Sequence, residues 1–205
     1  MSEEKNYAKS IEEEFIDLKK RIKATRKSRI EASKRLRTKN NFYEKITHFY
    51  SLVVLILSVW FLNLAGDGGL FTAKVLLILS LSITYFTLFL SLRNYKERAG
   101  DFEVNYQHLD VLTNKLDRFA TSGATLDETV LKSFQREYEK LIIGKENHTN
   151  IDYYRSTDEN QIKYKKEIKR FILQERIANV LIAVYPIFIF LIIFIFSKIV
   201  TFFDQ

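Results

Sequence analysis

Two long uncharged stretches separated by four residues constrain this chain more than anything else in it. Phe49 to Ala65 is seventeen residues with no formal charge, and Leu70 to Leu92 is twenty-three with only Lys74 near its start. As helices, at about 1.5 Å per residue, they span about 26 and 35 Å, which suits a bilayer hydrocarbon core of about 30 Å. Neither carries the polar face that a water-exposed helix needs. Between them, Gly66-Asp67-Gly68-Gly69 admits positive φ and a reversal too short to hold a domain. The pattern predicts a transmembrane helical hairpin. A third run, Ile177 to Val200, is apolar apart from Asn179 and Lys198 and predicts a C-terminal membrane helix. Pro186 inside it removes one backbone hydrogen bond, which predicts a bend.

Charge places these spans across the membrane. The chain carries a net +7, but Lys19 to Lys45 holds twelve Lys/Arg against Glu31 and Glu44, while residues 1 to 18 hold six acids against two lysines. The basicity is juxtamembrane. Arg93, Lys96 and Arg98 follow the second span, and Lys163, Lys165, Lys166, Lys169, Arg170 and Arg176 precede the third. The positive-inside bias puts the N-terminus and both hairpin ends in the cytoplasm, and the Gly66 turn and the C-terminal Phe202-Phe203-Asp204-Gln205 outside. A basic stripe also suits nucleic acid; beside a membrane span, anionic lipid is the simpler partner.

Composition excludes several chemistries. Cysteine is absent, so there is no disulfide, thiolate nucleophile or Cys-ligated zinc. The acidic Met1-Ser2-Glu3-Glu4 start, followed by about forty polar residues, is not a secretory signal. His48, His108 and His148 are far apart, and no HExxH, phosphate loop or nucleophile elbow is present. Neither an enzyme nor a metal or cofactor site is expected.

Outside the spans the chain reads as helix. Residues 8 to 47 lack Pro and Gly and carry a 4,3 seam of Ile11, Phe15, Leu18, Ile22, Thr25, Arg29, Ala32 and Leu36, with a polar break at Thr25 and Arg29. The seam fits two partners, a later helix of the same chain or another subunit; Ile11, Phe15, Leu18 and Ile22 are the candidate oligomer seam. Arg93 to Phe119 reads as an unbroken continuation of the second span, with Phe102, Tyr106, Leu109, Leu112, Leu116 and Phe119 on one face. A third helix opens at a Thr125 to Glu128 capping box and stops at Gly144. Residues 145 to 154 read as a polar loop, and Ser156 to Glu159 as the cap of the last helix. The expected fold is an all-α membrane protein: a basic cytoplasmic helix (1–48), a transmembrane hairpin (49–92), a cytoplasmic helical stalk with the loop (93–176), and a third transmembrane helix with a short outer tail (177–205).

Two residue sets are candidates for function. Ser80, Thr84, Thr87 and Ser91 recur at 4,3,4 and share one face of the second span, as do Ser51 and Ser58 on the first. Hydroxyls there either let helices pack and bond to each other or hydrate a pore. Three spans enclose little, so a pore requires a homo-oligomer. Asn147, His148 and Asp152 in the polar loop either tie it to the stalk or dock a partner.

The order of these features resembles the SLATT family, the two-transmembrane effectors of bacterial conflict systems. The resemblance rests on Ala32-Ser33-Lys34-Arg35-Leu36, Ser91-Leu92-Arg93-Asn94-Tyr95-Lys96-Glu97-Arg98-Ala99 and Glu146-Asn147-His148-Thr149-Asn150-Ile151-Asp152, and covers about residues 10 to 155. It implies an inner-membrane effector of antiphage abortive infection, forming a pore or disrupting the membrane when a partner senses infection. The third span resembles a subfamily associated with reverse transcriptases; other members accompany nucleotide-signal synthases. The competing function is a membrane scaffold that recruits a cytoplasmic enzyme.

Overall fold

The computed structural model describes residues 2–62 and 66–203. Seven helices appear among the described residues, and no strand: α1 (Ser2–Trp60), α2 (Gly66–Arg93), α3 (Tyr95–Thr121), α4 (Glu128–Ile142), α5 (Asn150–Arg155), α6 (Asp158–Lys163) and α7 (Lys165–Phe203). This is an all-α membrane protein, with three helices long and apolar enough to cross a bilayer. The chain divides into two compact units: Met1–Arg37 with Lys96–Lys169, and Thr38–Tyr95 with Arg170–Gln205.

In the first unit, α1 packs antiparallel on α3, because contacts that climb along one helix descend along the other. Lys19 pairs with Asp117, Arg26 with Asp110 and Arg29 with Asn105, and Ser33 Oγ donates to the Ala99 carbonyl at 2.9 Å. The apolar core follows from the seam. Ile11, Phe15, Leu18 and Ile22 close on Leu109, Leu112, Leu116 and Leu131, with Phe119, Phe134, Tyr138 and Leu141 packed around them. The rings of Phe15, Phe119 and Phe134 lie 5.7 to 6.1 Å apart at tilted and edge-on angles, a preferred aromatic geometry. The oligomer seam expected from Ile11, Phe15, Leu18 and Ile22 is therefore an intramolecular core. Of the two partners the spacing allowed, the chain's own α3 and α4 take the face, since bringing them to it costs only loop closure.

The second unit packs thinly. Val54 of α1 and Val75, Leu79 and Ile83 of α2 are buried together, with Tyr50, Leu76, Ile189 and Ile193 against them. Tyr50 hydroxyl donates to the Ala183 carbonyl, Lys39 reaches Glu175 at 3.0 Å, and Phe86 packs on Tyr185 at 5.1 Å. Large apolar side chains face outward elsewhere, with Trp60 79 % and Ile192 65 % exposed. In water such a surface would aggregate; a bilayer covers it.

Several boundaries differ from those the sequence suggests. Gly66 to Gly69 forms the first turn of α2, with φ of 76° at Gly66; the chain leaves α1 earlier, at Phe61 and Leu62, and the rest of the expected first span, residues 63–65, lies outside the described residues. The outermost tail residues, Asp204 and Gln205, do so as well. The second span does not run unbroken into the next helix: Asn94, at φ 46°, separates α2 from α3, a left-handed conformation that Asn tolerates better than most residues. Asp127, not Thr125, caps α4 by accepting from Val130 N at 2.7 Å. Thr157, not Ser156, caps α6. The last helix is also interrupted, because Tyr164 leaves helical geometry and stacks on Tyr154 with centroids 4.1 Å apart. The loop at 145–154 contains α5, which has its own capping box of Thr149 and Asp152.

The core reading gives a direct expectation. Leu112→Ala, at a side chain with no exposure, should cost about 2–5 kcal/mol, seen as an earlier unfolding midpoint in detergent with unchanged oligomeric mass. Loss of subunit association with the fold intact would return the seam to an intersubunit role.

Candidate functional site

The first unit carries a polar layer inside its helical core. Thr25 Oγ1 and Tyr138 hydroxyl share a hydrogen bond of 2.8 Å. One turn further along α1, Arg29 donates to Asn105 Oδ1, and Asn105 Nδ2 donates to the Leu141 carbonyl at 2.7 Å. That carbonyl belongs to the last turn of α4, where intrahelical donors run out. The polar break seen in the seam thus caps another helix. Arg29 is 3 % exposed and its Nε has no partner; burial pulls its pKa down, against a smaller opposing effect of Tyr138.

The polar loop is tied to α1 by charge. Arg35 Nε and Nη2 donate to the two carboxylate oxygens of Asp152 at 2.8 and 3.0 Å. Oδ2 also accepts from Thr149 N at 2.9 Å and Thr149 Oγ1 at 2.7 Å. Asp152 is 1 % exposed, and the guanidinium fork matches its geometry. Arg98 forms a second fork with Glu146, through Nε to Oε2 at 2.7 Å. The three motifs that carry the resemblance therefore meet: Ser33 on Ala99, Arg35 on Asp152, Arg98 on Glu146. Of the loop candidates, Asp152 is the anchor, Asn147 is exposed, and His148 is half-buried with Nδ1 unpartnered. No spacing in the sequence pairs Arg35 with Asp152; the Thr149-x-x-Asp152 capping pattern is the one local signal that marks this carboxylate.

The basic stripe of α1 is largely spent inside the chain. Lys19, Arg26, Arg37 and Lys39 pair with Asp117, Asp110, Glu103 and Glu175, and the hydrogen bond from Lys19 holds the Asp117 carboxyl below its usual pKa. Each exposed pair stabilises little; together they cancel much of the charge that suited nucleic acid.

In the second unit, α2 buries Val75, Leu79 and Ile83, while Ser80, Thr84, Thr87 and Ser91 form the neighbouring stripe. Thr84, Thr87 and Ser91 are exposed and Ser80 is half-buried. Ser80, Thr84 and Thr87 each donate to the carbonyl four residues back, Leu76, Ser80 and Ile83, at 2.8 to 2.9 Å. Ser58 does the same to Val54. The hydroxyl protons of Ser80, Thr84, Thr87 and Ser58 are committed to their own helices, which leaves the oxygen lone pairs as their remaining hydrogen-bonding capacity. At its Arg93 end the stripe enters a half-open cavity of about 280 Å³ between residues 40–48 of α1 and residues 87–95. Among the described residues no group of three or more His, Asp or Glu is placed to hold a metal ion.

Fold and site define a class of membrane-embedded helical proteins in which a charge-locked helical unit accompanies a thinly packed set of spans. The chain belongs to the SMODS and SLOG-associating 2TM effector domain family 5, whose model matches residues 11–197. This is an effector family of bacterial conflict systems. The family's name counts two membrane helices, and the match also takes in most of α7. No curated protein and no solved structure matches the chain.

Two measurements test the polar layer. Arg35→Ala leaves a buried carboxylate uncompensated and should destabilise by about 3–5 kcal/mol; Arg35→Lys, with charge but no fork, should fall between. A melting temperature unchanged in both variants would refute the anchor. For His148, burial first and the Arg29 charge second hold the pKa below the ordinary imidazole value, with Asp152 opposing. The folded state thus keeps the ring neutral. Stability should be level above about pH 6.5, the unfolded pKa, and fall as pH drops from there through the lower folded pKa. His148→Gln should flatten that slope in a urea titration repeated at each pH.

Proposed function

We propose that this chain is the membrane-acting effector of an antiphage abortive-infection system: copies assemble in the bacterial inner membrane and open a poorly selective pore, or disrupt the bilayer, once a partner senses infection. The observation that carries this reading is the hydroxyl stripe of α2, which lies beside the packed face rather than in it. Thr84 is exposed and bonds only within its own helix, and Thr87 and Ser91 line a half-open cavity, so these hydroxyls are accessible to water or to a second copy. Their lone pairs can hydrate a path without the cost of a buried charge.

Assembly follows from size, because three helices enclose almost no volume. With the N-terminal seam occupied by α3 and α4, contact between copies falls to the exposed apolar faces of the spans. The orientation is N-terminus cytoplasmic and C-terminus outside, from the cations at each span. The controlling partner is a reverse transcriptase or nucleotide-signal synthase encoded nearby, as the family association suggests. No catalytic role is assigned to the chain itself.

Changing Thr84 and Thr87 together to Val keeps shape and removes two hydroxyls. The pore reading expects normal expression and assembly with loss of dye leakage and toxicity. Full depolarisation of cells by the double variant would remove this face as the lining. A chain that never depolarises cells when freed from its partner would instead be a scaffold. A reporter fused after Gln205 should read outside, and one at Ser122-Gly123 inside.

A further inference from the structure

The cavity at the Arg93 end of α2 holds one carboxylate among hydroxyls and two tyrosine rings, with Asn40, Leu90 and Ser91 completing its wall. Glu44, exposed at the open side, lines it and forms no ion pair with another described residue. Thr47 Oγ1 donates to the Tyr43 carbonyl at 2.9 Å and Thr87 Oγ1 to the Ile83 carbonyl at 2.8 Å, so each hydroxyl has only lone pairs left for the cavity. The rings of Tyr43 and Tyr95, 5.7 Å apart, and the His48 imidazole form part of the wall. The nearby ammonium of Lys39 does not fill the space. It stands behind the tyrosine wall, bonded to Glu175 at 3.0 Å, in contact with Tyr43 and 5.8 Å from the Tyr95 ring centroid, and Glu175 balances its charge.

A carboxylate among lone pairs and aromatic faces repels anions and leaves its polar groups unpaired against an apolar ligand. It matches a group with several N–H donors and one positive charge. We propose that this cavity binds a primary ammonium group, with Glu44 as its counter-ion and the Thr47 and Thr87 oxygens as further acceptors.

The position of the cavity favours one source. Residues 40–48 end where the uncharged run of α1 begins, and Thr87 to Ser91 are the last turn of the apolar run before Arg93. This is the change from apolar to polar surface, the depth of lipid headgroups, and the cavity is open on one side. An ethanolamine headgroup presents a primary ammonium there; a free polyamine presents the same chemistry from solution. A choline headgroup carries the charge but no N–H to donate.

The test uses the full chain in lipid nanodiscs with equal anionic lipid, the remainder being phosphatidylethanolamine or phosphatidylcholine. Wild type should retain the ethanolamine lipid in native mass spectrometry and melt several degrees higher in those discs than in choline discs. Glu44→Gln should lose both effects, retaining the lipid at least tenfold less, while melting as wild type does in choline discs. Glu44→Asp should keep part of the preference. In detergent without phospholipid, a stabilisation by spermidine that Glu44→Gln removes would support the ammonium site and assign its source to solution. Equal retention of the two lipids by wild type with no spermidine effect, or an unchanged lipid preference in Glu44→Gln, would overturn the proposal. The readout is binding and melting, so failure of the pore reading leaves it standing.

Discussion

A buried carboxylate is costly unless both its oxygens are met, and the first unit is organised around one that is. Asp152 accepts the Arg35 fork on one side and Thr149 N and Oγ1 on the other. This single group caps α5, fixes the loop that precedes it and binds that loop to α1. An apolar pair could supply comparable stability, but it would not select one rotation of α1. The fork does select: with Arg35 directed at Asp152, Ser33 faces Ala99 and Arg29 faces Asn105. Small side chains make the approach feasible, since Ala32, Ser28 and Ala99 are all nearly fully buried where the helices meet.

The second unit is held by different physics. Its spans share a small buried patch and a few ring contacts, and most of their surface is left apolar and exposed. Within a bilayer there is little hydrophobic drive to pack helices more tightly, because lipid tails are as apolar as the side chains. Loose association within one chain leaves faces available to other copies, to lipid or to water. The hydroxyl stripe belongs to that available surface, and so does the cavity into which it runs.

Much of this was legible in the residues. The spans showed because seventeen to twenty-four residues without a polar face admit few other readings, and the core of the first unit because a 4,3 seam at Ile11 to Leu36 marks one helical face. What escaped were local competitions. Asn94 and Tyr164 break helices whose periodicity runs straight through them, because a left-handed Asn conformation and a ring stack on Tyr154 outweigh one more turn. Asp127 and Thr157 displaced nearby capping candidates, since Thr and Ser spacings a residue or two apart look equally good until the first turn is placed.

The sequence by itself determined that the chain is helical, that three of its runs suit a bilayer and that one face of α1 must be buried, because periodicity and length are properties of a single segment. Only the tertiary structure decided what covers that face, which acid answers which base, and that the hydroxyls of α2 stand beside its packed side. The physical reason is that a seam, a charge or a hydroxyl specifies the kind of partner it needs but not its address. Arg35 could have met any acid of the chain; the fold brought it Asp152, 117 residues away.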